Sequence, residues 1–221
     1  SMKAVSPKKK LGQHFLNDLN IAQKIVEILQ NHEGKNILEI GPGMGVLTQY
    51  IIPKTENLKL VEIDTESVAY LNQKYPDMQD HIMCEDFLRM DLSAVFQNQP
   101  FAIIGNFPYN ISSQIVFKTI KYRKYIPFFC GMFQKEMAQR ICEKPGTKAY
   151  GILSILCQTY FHTQYHFNVP PAIFSPPPKV DSGLLSLKRR EDLTIDFDQK
   201  LLFIAVSYTH LRAHETGRNL V

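Results

Sequence analysis

The chain has 221 residues, 44% of them hydrophobic and 21% charged, with 25 basic and 21 acidic side chains for a net charge of +4. This length accommodates one α/β domain with a real core and a small appendage, and the composition is globular. No apolar run reaches bilayer-spanning length and no secretory leader pattern is present, so neither membrane insertion nor a membrane partner is expected.

Four of the bases, Lys3, Lys8, Lys9 and Lys10, fall within the first ten residues, which hold no acid. Positive charge is therefore concentrated in an N-terminal arm. Such an arm suits a phosphate backbone, although on charge alone a solvated tail is the simpler reading. Ser1 precedes a start methionine as a cloning remnant would. The four cysteines, Cys84, Cys130, Cys142 and Cys157, form no C-x-x-C pair, which fits reduced, buried thiols in a cytoplasmic protein.

After the arm, Gly12-Gln13-His14-Phe15-Leu16 mixes polar and apolar groups in a way unusual for a tail. A hydrophobic staple onto the following helix is one explanation. Asn17 or Asp18 can cap that helix, whose apolar residues recur at Ile21, Ile25, Val26, Ile28 and Leu29. Residues 36–40 form the first expected strand. It runs into Glu39-Ile40-Gly41-Pro42-Gly43-Met44-Gly45, where glycines let backbone approach a ligand beside a helix N-terminus. The dinucleotide fingerprint G-x-G-x-x-G requires glycine at position 46, which is Val46. The pattern instead fits the E-x-G-x-G-x-G turn of S-adenosylmethionine enzymes.

A second strand over 58–63 carries Glu62, about 20 residues past the first glycine, where an acid accepts hydrogen bonds from ribose hydroxyls. A helix follows to about Tyr75 and stops at Pro76. A third strand over 81–84 leads to Asp86, suited to an adenine amine, with Ile63 and Phe87 as apolar walls. The fourth strand, from Phe101, ends in Asn106-Phe107-Pro108-Tyr109. An amide, a turn stiffened by proline and an aromatic face together suit a planar ring bearing an amino group. Strands ending in polar residues along one sheet edge mark a ligand site in an open α/β fold.

A helix of about ten residues is expected from Ser112, a fifth strand over 125–133, a helix to about Cys142, and another over 150–161. Strands follow over 165–169 and 184–188. The proline-rich stretch between them, 170–182, reads as a stiff loop without regular structure. Within it Phe174 is either packed beneath the loop or a second face for the target ring.

With these residues together, the chain resembles the KsgA-type ribosomal RNA adenine dimethyltransferases. The matching motifs are Gly12 to Leu16, Glu39 to Gly45, Glu62, Asp86, Asn106 to Ser112, Gln134-Lys135-Glu136, Lys148-Ala149-Tyr150-Gly151 and Phe174 to Ser182, in the family's order over roughly residues 8–190. The resemblance implies a doubly wound, Rossmann-like class I methyltransferase sheet of seven strands with helices on both faces. It implies S-adenosylmethionine as cofactor, held by His14, Leu16, Gly41, Glu62, Asp86 and Asn106, with Gly43, Ile63 and Phe87 beside them. Asn106, Phe107, Pro108, Tyr109 and Phe174 would then handle the adenine. The product would be two adjacent dimethyladenosines in small-subunit ribosomal RNA, made on a pre-ribosomal particle by a cytoplasmic monomer that needs no metal.

The resemblance also sets domain limits. Residues 1–190 are the expected catalytic domain, 191–206 the start of a C-terminal helical domain that is otherwise missing, and 207–221 a non-native tail resembling a translated adapter. On that reading His210 and His214 are not metal ligands despite their spacing. An erythromycin-resistance methyltransferase of large-subunit RNA and a catalytically silent assembly or transcription factor of the same fold remain as alternatives. A DNA adenine methyltransferase shares the Asn-x-Pro-Tyr chemistry but would need a target-recognition domain.

Overall fold

The computed structural model describes residues 2–192; the expected start of a helical domain and the expected tail lie almost wholly outside the described residues. Seven strands form one sheet: β2 (Ile37–Ile40), β3 (Leu58–Glu62), β4 (Ile82–Cys84), β5 (Ala102–Asn106), β6 (Phe128–Gln134), β7 (Phe161–Val169) and β9 (Ser182–Arg189). Their spatial order is β4-β3-β2-β5-β6-β9-β7. The first five run parallel, and β9 inserts antiparallel between β6 and β7. This is the expected seven-stranded methyltransferase sheet.

The central strands read as apolar runs because both faces are covered. Successive residues of β5 enter opposite cores, Ile103 on one face and Ala102 and Ile104 on the other. The first core is closed by α4 (Ser112–Lys121), α5 (Lys135–Ile141) and α6 (Ile152–Tyr160). The second is closed by α1 (Leu19–Val26), α2 (Thr48–Ile51) and α3 (Thr65–Lys74). Asp18 caps α1, its carboxylate accepting from the Ile21 amide at 3.0 Å, which satisfies an amide that the first turn leaves without a partner.

Several local expectations change. β7 begins at Phe161 instead of residue 165, because β9 is long enough to pair with it from Arg189 inward. β6 begins at Phe128, just after Pro127, instead of residue 125. The proline-rich stretch contains a two-residue strand, β8 (Phe174–Ser175), paired antiparallel with β1 (Phe15–Leu16) of the arm. Cys84 is exposed, whereas Cys130 and Cys157 are buried and Cys142 lies between.

Candidate active site

The carboxyl ends of β2, β3, β4 and β5 open onto one cleft, which the arm from Leu11 to Phe15 also lines. Its mostly apolar lining with a few convergent polar groups is that of a small-molecule site. Gly41 begins the turn after β2 with φ +65°, and a Cβ there would stand 2.9 Å from the Asn106 carbonyl oxygen. Only glycine allows the two strand ends to approach so closely.

Glu62 ends β3 almost fully buried. Its Oε1 accepts from the Gly43 amide at 3.0 Å and its Oε2 from the Asp64 amide at 3.2 Å. Burial raises the Glu62 carboxyl above its ordinary range, while the amides of Asp64, Gly43 and Ile63 oppose the shift. The glycine turn is thus fastened to the acid expected at the ribose. Ile63, next in the chain, is 48% exposed and lines the cleft. An exposed isoleucine facing a cleft offers an apolar wall for a flat ring. Asp86 and Phe87 line the same cleft, with Asp86 Oδ1 accepting from the Leu88 amide at 3.0 Å.

Asn106 and its neighbours are held from three sides. The Asn106 Nδ2 donates to the His14 carbonyl at 2.9 Å. A carbonyl can only accept, so the amide nitrogen faces His14 and Oδ1 is the end left to accept. Phe107 points its ring into the core, stacked on Phe129 at 5.4 Å and tilted against Phe133 at 5.4 Å. Glycines make room for that ring: a Cβ on Gly131 would stand 2.0 Å from it, and one on Gly105 2.6 Å. Tyr109 is half-buried, stacked on the His14 imidazole with centroids 5.7 Å apart, and its hydroxyl hydrogen-bonds Ser182 Oγ.

Sequence reasoning left open how the arm docks. Lys8 Nζ pairs with Asp64 at 3.0 Å and Glu66 at 2.6 Å, and the Lys8 amide donates to Gln13 Oε1 at 2.8 Å. Burial alone would raise the Asp64 carboxyl, but hydrogen bonds from Ser67, Lys8 and Gln13 hold it below its ordinary value. One of the four arm bases is therefore engaged with the domain itself, while Lys3, Lys9 and Lys10 are exposed.

A family model for ribosomal RNA adenine dimethylase matches residues 4–207. The chain belongs to that family. It is 52% identical over 218 residues to ribosomal RNA small subunit methyltransferase A of Flavobacterium johnsoniae, covering 99% of this chain and 84% of that protein. It is 49% identical to the protein of the same name from Parabacteroides distasonis, covering 99% and 82%. Among solved structures it resembles a dimethyladenosine transferase from Plasmodium falciparum, with TM-score 0.71 and 28% identity over 80% of this chain and 64% of that one. It also resembles the 23S rRNA methyltransferase ErmE, with TM-score 0.69 and 28% identity over 83% and 72%.

Two of the expected site residues have side chains buried away from the cleft lining. Phe174 is 3% exposed, in the core with Leu16, Ile25 and Val169, so its ring packs beneath the loop and does not face the cleft. Pairing of β8 with β1 turns it inward. The Leu16 side chain is buried in the same core, leaving only its backbone to reach a cofactor. The other expected cofactor residues, His14, Gly41, Glu62, Ile63, Asp86, Phe87 and Asn106, all line the cleft, and Gly43 joins them through Glu62. Among the described residues, no helix is long and apolar enough to cross a membrane.

Proposed function

We propose that this dimethylase-family chain transfers methyl groups from S-adenosylmethionine to the N6 amines of two adjacent adenosines in small-subunit ribosomal RNA. It does so as a cytoplasmic monomer acting on an immature subunit. The observation that carries the reading is the orientation of Asn106: His14 takes its amide nitrogen, so an amide oxygen is fixed at the strand end of a cleft lined by Glu62 and Asp86.

The cleft fits the cofactor by its donor set. Glu62 supplies an acceptor at a ribose, Asp86 an acceptor at an adenine amine, and Ile63 and Phe87 supply apolar walls beside a glycine turn. When bound, S-adenosylmethionine supplies an electrophilic methyl group. The chain's own residues prepare the nucleophile. An exocyclic adenine amine is weak because its lone pair is delocalised into the ring. Asn106 Oδ1 and the Phe107 carbonyl accept its two N–H groups and draw the nitrogen toward tetrahedral geometry. Positive charge would develop there as the N–C bond forms and the methyl–sulfur bond breaks; the two fixed carbonyl dipoles would stabilise it until the nitrogen loses a proton to solvent. Tyr109, pinned through Ser182 and His14, offers its ring to an unstacked base. Since Phe174 is inside the core, Tyr109 carries that stacking without it.

The test is methylation of immature small subunits by the full chain with labelled cofactor, followed by mapping of the product. Label on two adjacent small-subunit adenosines is expected. In a parallel reaction on large-subunit RNA, label there and none on the small subunits would favour the erythromycin-resistance type, and cofactor binding without transfer to either would favour the silent-factor alternative.

A further inference from the structure

Lys118 projects from α4 toward the turn that follows β4, a role no sequence motif indicated. Its ammonium donates to the carbonyls of Phe87 at 2.5 Å and Met90 at 2.6 Å, and stands 5.2 Å from the centroid of the Phe87 ring. An ammonium has three donors. Here two meet carbonyls at either end of the Phe87–Arg89 turn, and the aromatic face lies within cation–π range. The turn is the one that carries Asp86 and Phe87 into the cleft. The other end of α4 is tied to the adenine-handling loop, where Ser112 Oγ donates to the Pro108 carbonyl at 3.3 Å.

We infer that Lys118 is a positioning residue for cofactor recognition: it clamps the Phe87–Arg89 turn so that Asp86 and Phe87 read the adenine ring of the cofactor. The inference rests on the proposed role of Asp86 at that adenine. Lys118 does not itself line the cleft. It acts through the two carbonyls, so its loss leaves the Asp86 carboxylate in place but frees the turn that aims it.

The clamp has a pH signature. Burial pushes the Lys118 ammonium down to about 8, helped by Lys121 and opposed by Asp86 and Asp91; the Phe87 and Tyr122 rings complete its surroundings. Deprotonation there replaces charge-assisted hydrogen bonds by neutral ones of about half the strength. Recognition of the adenine should loosen as pH rises through 8.

The experiment measures binding of S-adenosylhomocysteine and S-inosylhomocysteine by calorimetry, using the full chain. The inosine ring presents a carbonyl where adenine presents its amine, so the ratio of the two affinities reports the Asp86 contact. Wild type should prefer the adenosyl form. Lys118→Met should lower that preference about tenfold, consistent with the loss of charge-assisted bonds. Lys118→Arg should retain most of it. The wild-type preference should decline between pH 7 and pH 9, and the Lys118→Arg preference should not. Asp86→Asn is the control for the underlying role and should abolish the preference. A folded Lys118→Met protein with wild-type preference, beside an Asp86→Asn protein that has lost it, overturns the inference alone. An Asp86→Asn protein with wild-type preference overturns the adenine role and the inference with it. If Lys118→Met does not fold, the pH series on wild type and Lys118→Arg decides: a wild-type preference flat from pH 7 to pH 9 overturns the clamp.

Discussion

Asn106 and His14, 92 residues apart, are joined by one hydrogen bond of 2.9 Å from the Asn106 amide to the His14 carbonyl. The bond couples the arm to the loop after β5 and leaves Asn106 Oδ1 as the atom available to the proposed substrate. The arm is held at its other end by Lys8 on Asp64 and Glu66. Cofactor affinity should therefore depend on an ion pair outside the cleft. Lys8→Met should speed cofactor release several-fold, and the wild-type release rate should rise with salt, because a partly exposed pair is screened. Stopped-flow measurement of release at low and high salt checks this; identical rates for both proteins at all salt concentrations would contradict it.

Glu62 binds the glycine turn and is the expected ribose acceptor. Glu62→Ala removes both functions. Loss of a charge-assisted acceptor should weaken S-adenosylmethionine binding by about 1.5–3 kcal/mol. Glu62→Gln should lie between, since its remaining oxygen can still accept from the Gly43 amide. RNA affinity should change little. Calorimetry with the cofactor and filter binding with RNA separate the two effects, and unchanged cofactor affinity would remove Glu62 from the ribose site.

Gly131 lies a strand away from the cleft but makes room for the Phe107 ring. A Cβ 2.0 Å from that ring must displace it. Gly131→Ala should cost about 1–3 kcal/mol of stability, as overpacking does. It should also reduce methyl transfer by shifting the loop between Asn106 and Tyr109. Combining Gly131→Ala with Phe107→Leu should recover part of both, a coupling expected of residues in contact. Thermal melts and single-turnover rates on the four proteins of the cycle test it; additive losses would contradict it.

The sheet was legible because its central strands are covered on both faces and read as mostly apolar runs, broken only by Glu39 in β2 and Lys59 in β3, with polar or glycine residues at their ends. Gly41, Glu62, Asp86 and Asn106 were picked out that way, and all four line one cleft. The arm's contribution was not legible. Phe15 and Leu16 pair with Ser175 and Phe174 through backbone hydrogen bonds, which leave no side-chain pattern in so short a segment. That pairing also decides that Phe174 faces the core, a choice that its place between prolines left open. Lys118 looks like any lysine on an amphipathic helix, since its partners are main-chain carbonyls that carry no residue identity. The β7 start was misplaced because Phe161 continues the apolar pattern of the preceding helix, and only pairing with β9 makes residues 161–164 strand.

Glu39, beneath the glycine turn, accepts from Thr48 Oγ1 and is fully buried; burial pushes its carboxyl up to about 8 from an ordinary 4.5, with Thr48 opposing and Glu62 adding. The folded state therefore binds this proton more tightly than the unfolded chain does. Its contribution to stability is fully present below about pH 4.5 and is lost as pH rises toward 8. Glu39→Gln keeps the shape and removes the titration. Relative to Glu39→Gln, wild type should lose stability steadily between pH 5 and pH 8. Urea melts across that range measure the difference, and parallel curves would contradict the assignment.

The central claim is that Asn106 stabilises charge that appears only in the transition state. Its most direct test is single-turnover methylation of immature small subunits by Asn106→Ala and wild type side by side. Circular dichroism serves as the fold control and cofactor binding is measured separately. Interactions made only in the transition state raise the rate and leave ground-state binding unchanged. The account predicts a folded variant that keeps most of its affinity for RNA and loses about 10²–10³ in rate, as removal of one oriented dipole does. A folded Asn106→Ala protein that methylates within a few-fold of wild type would contradict it.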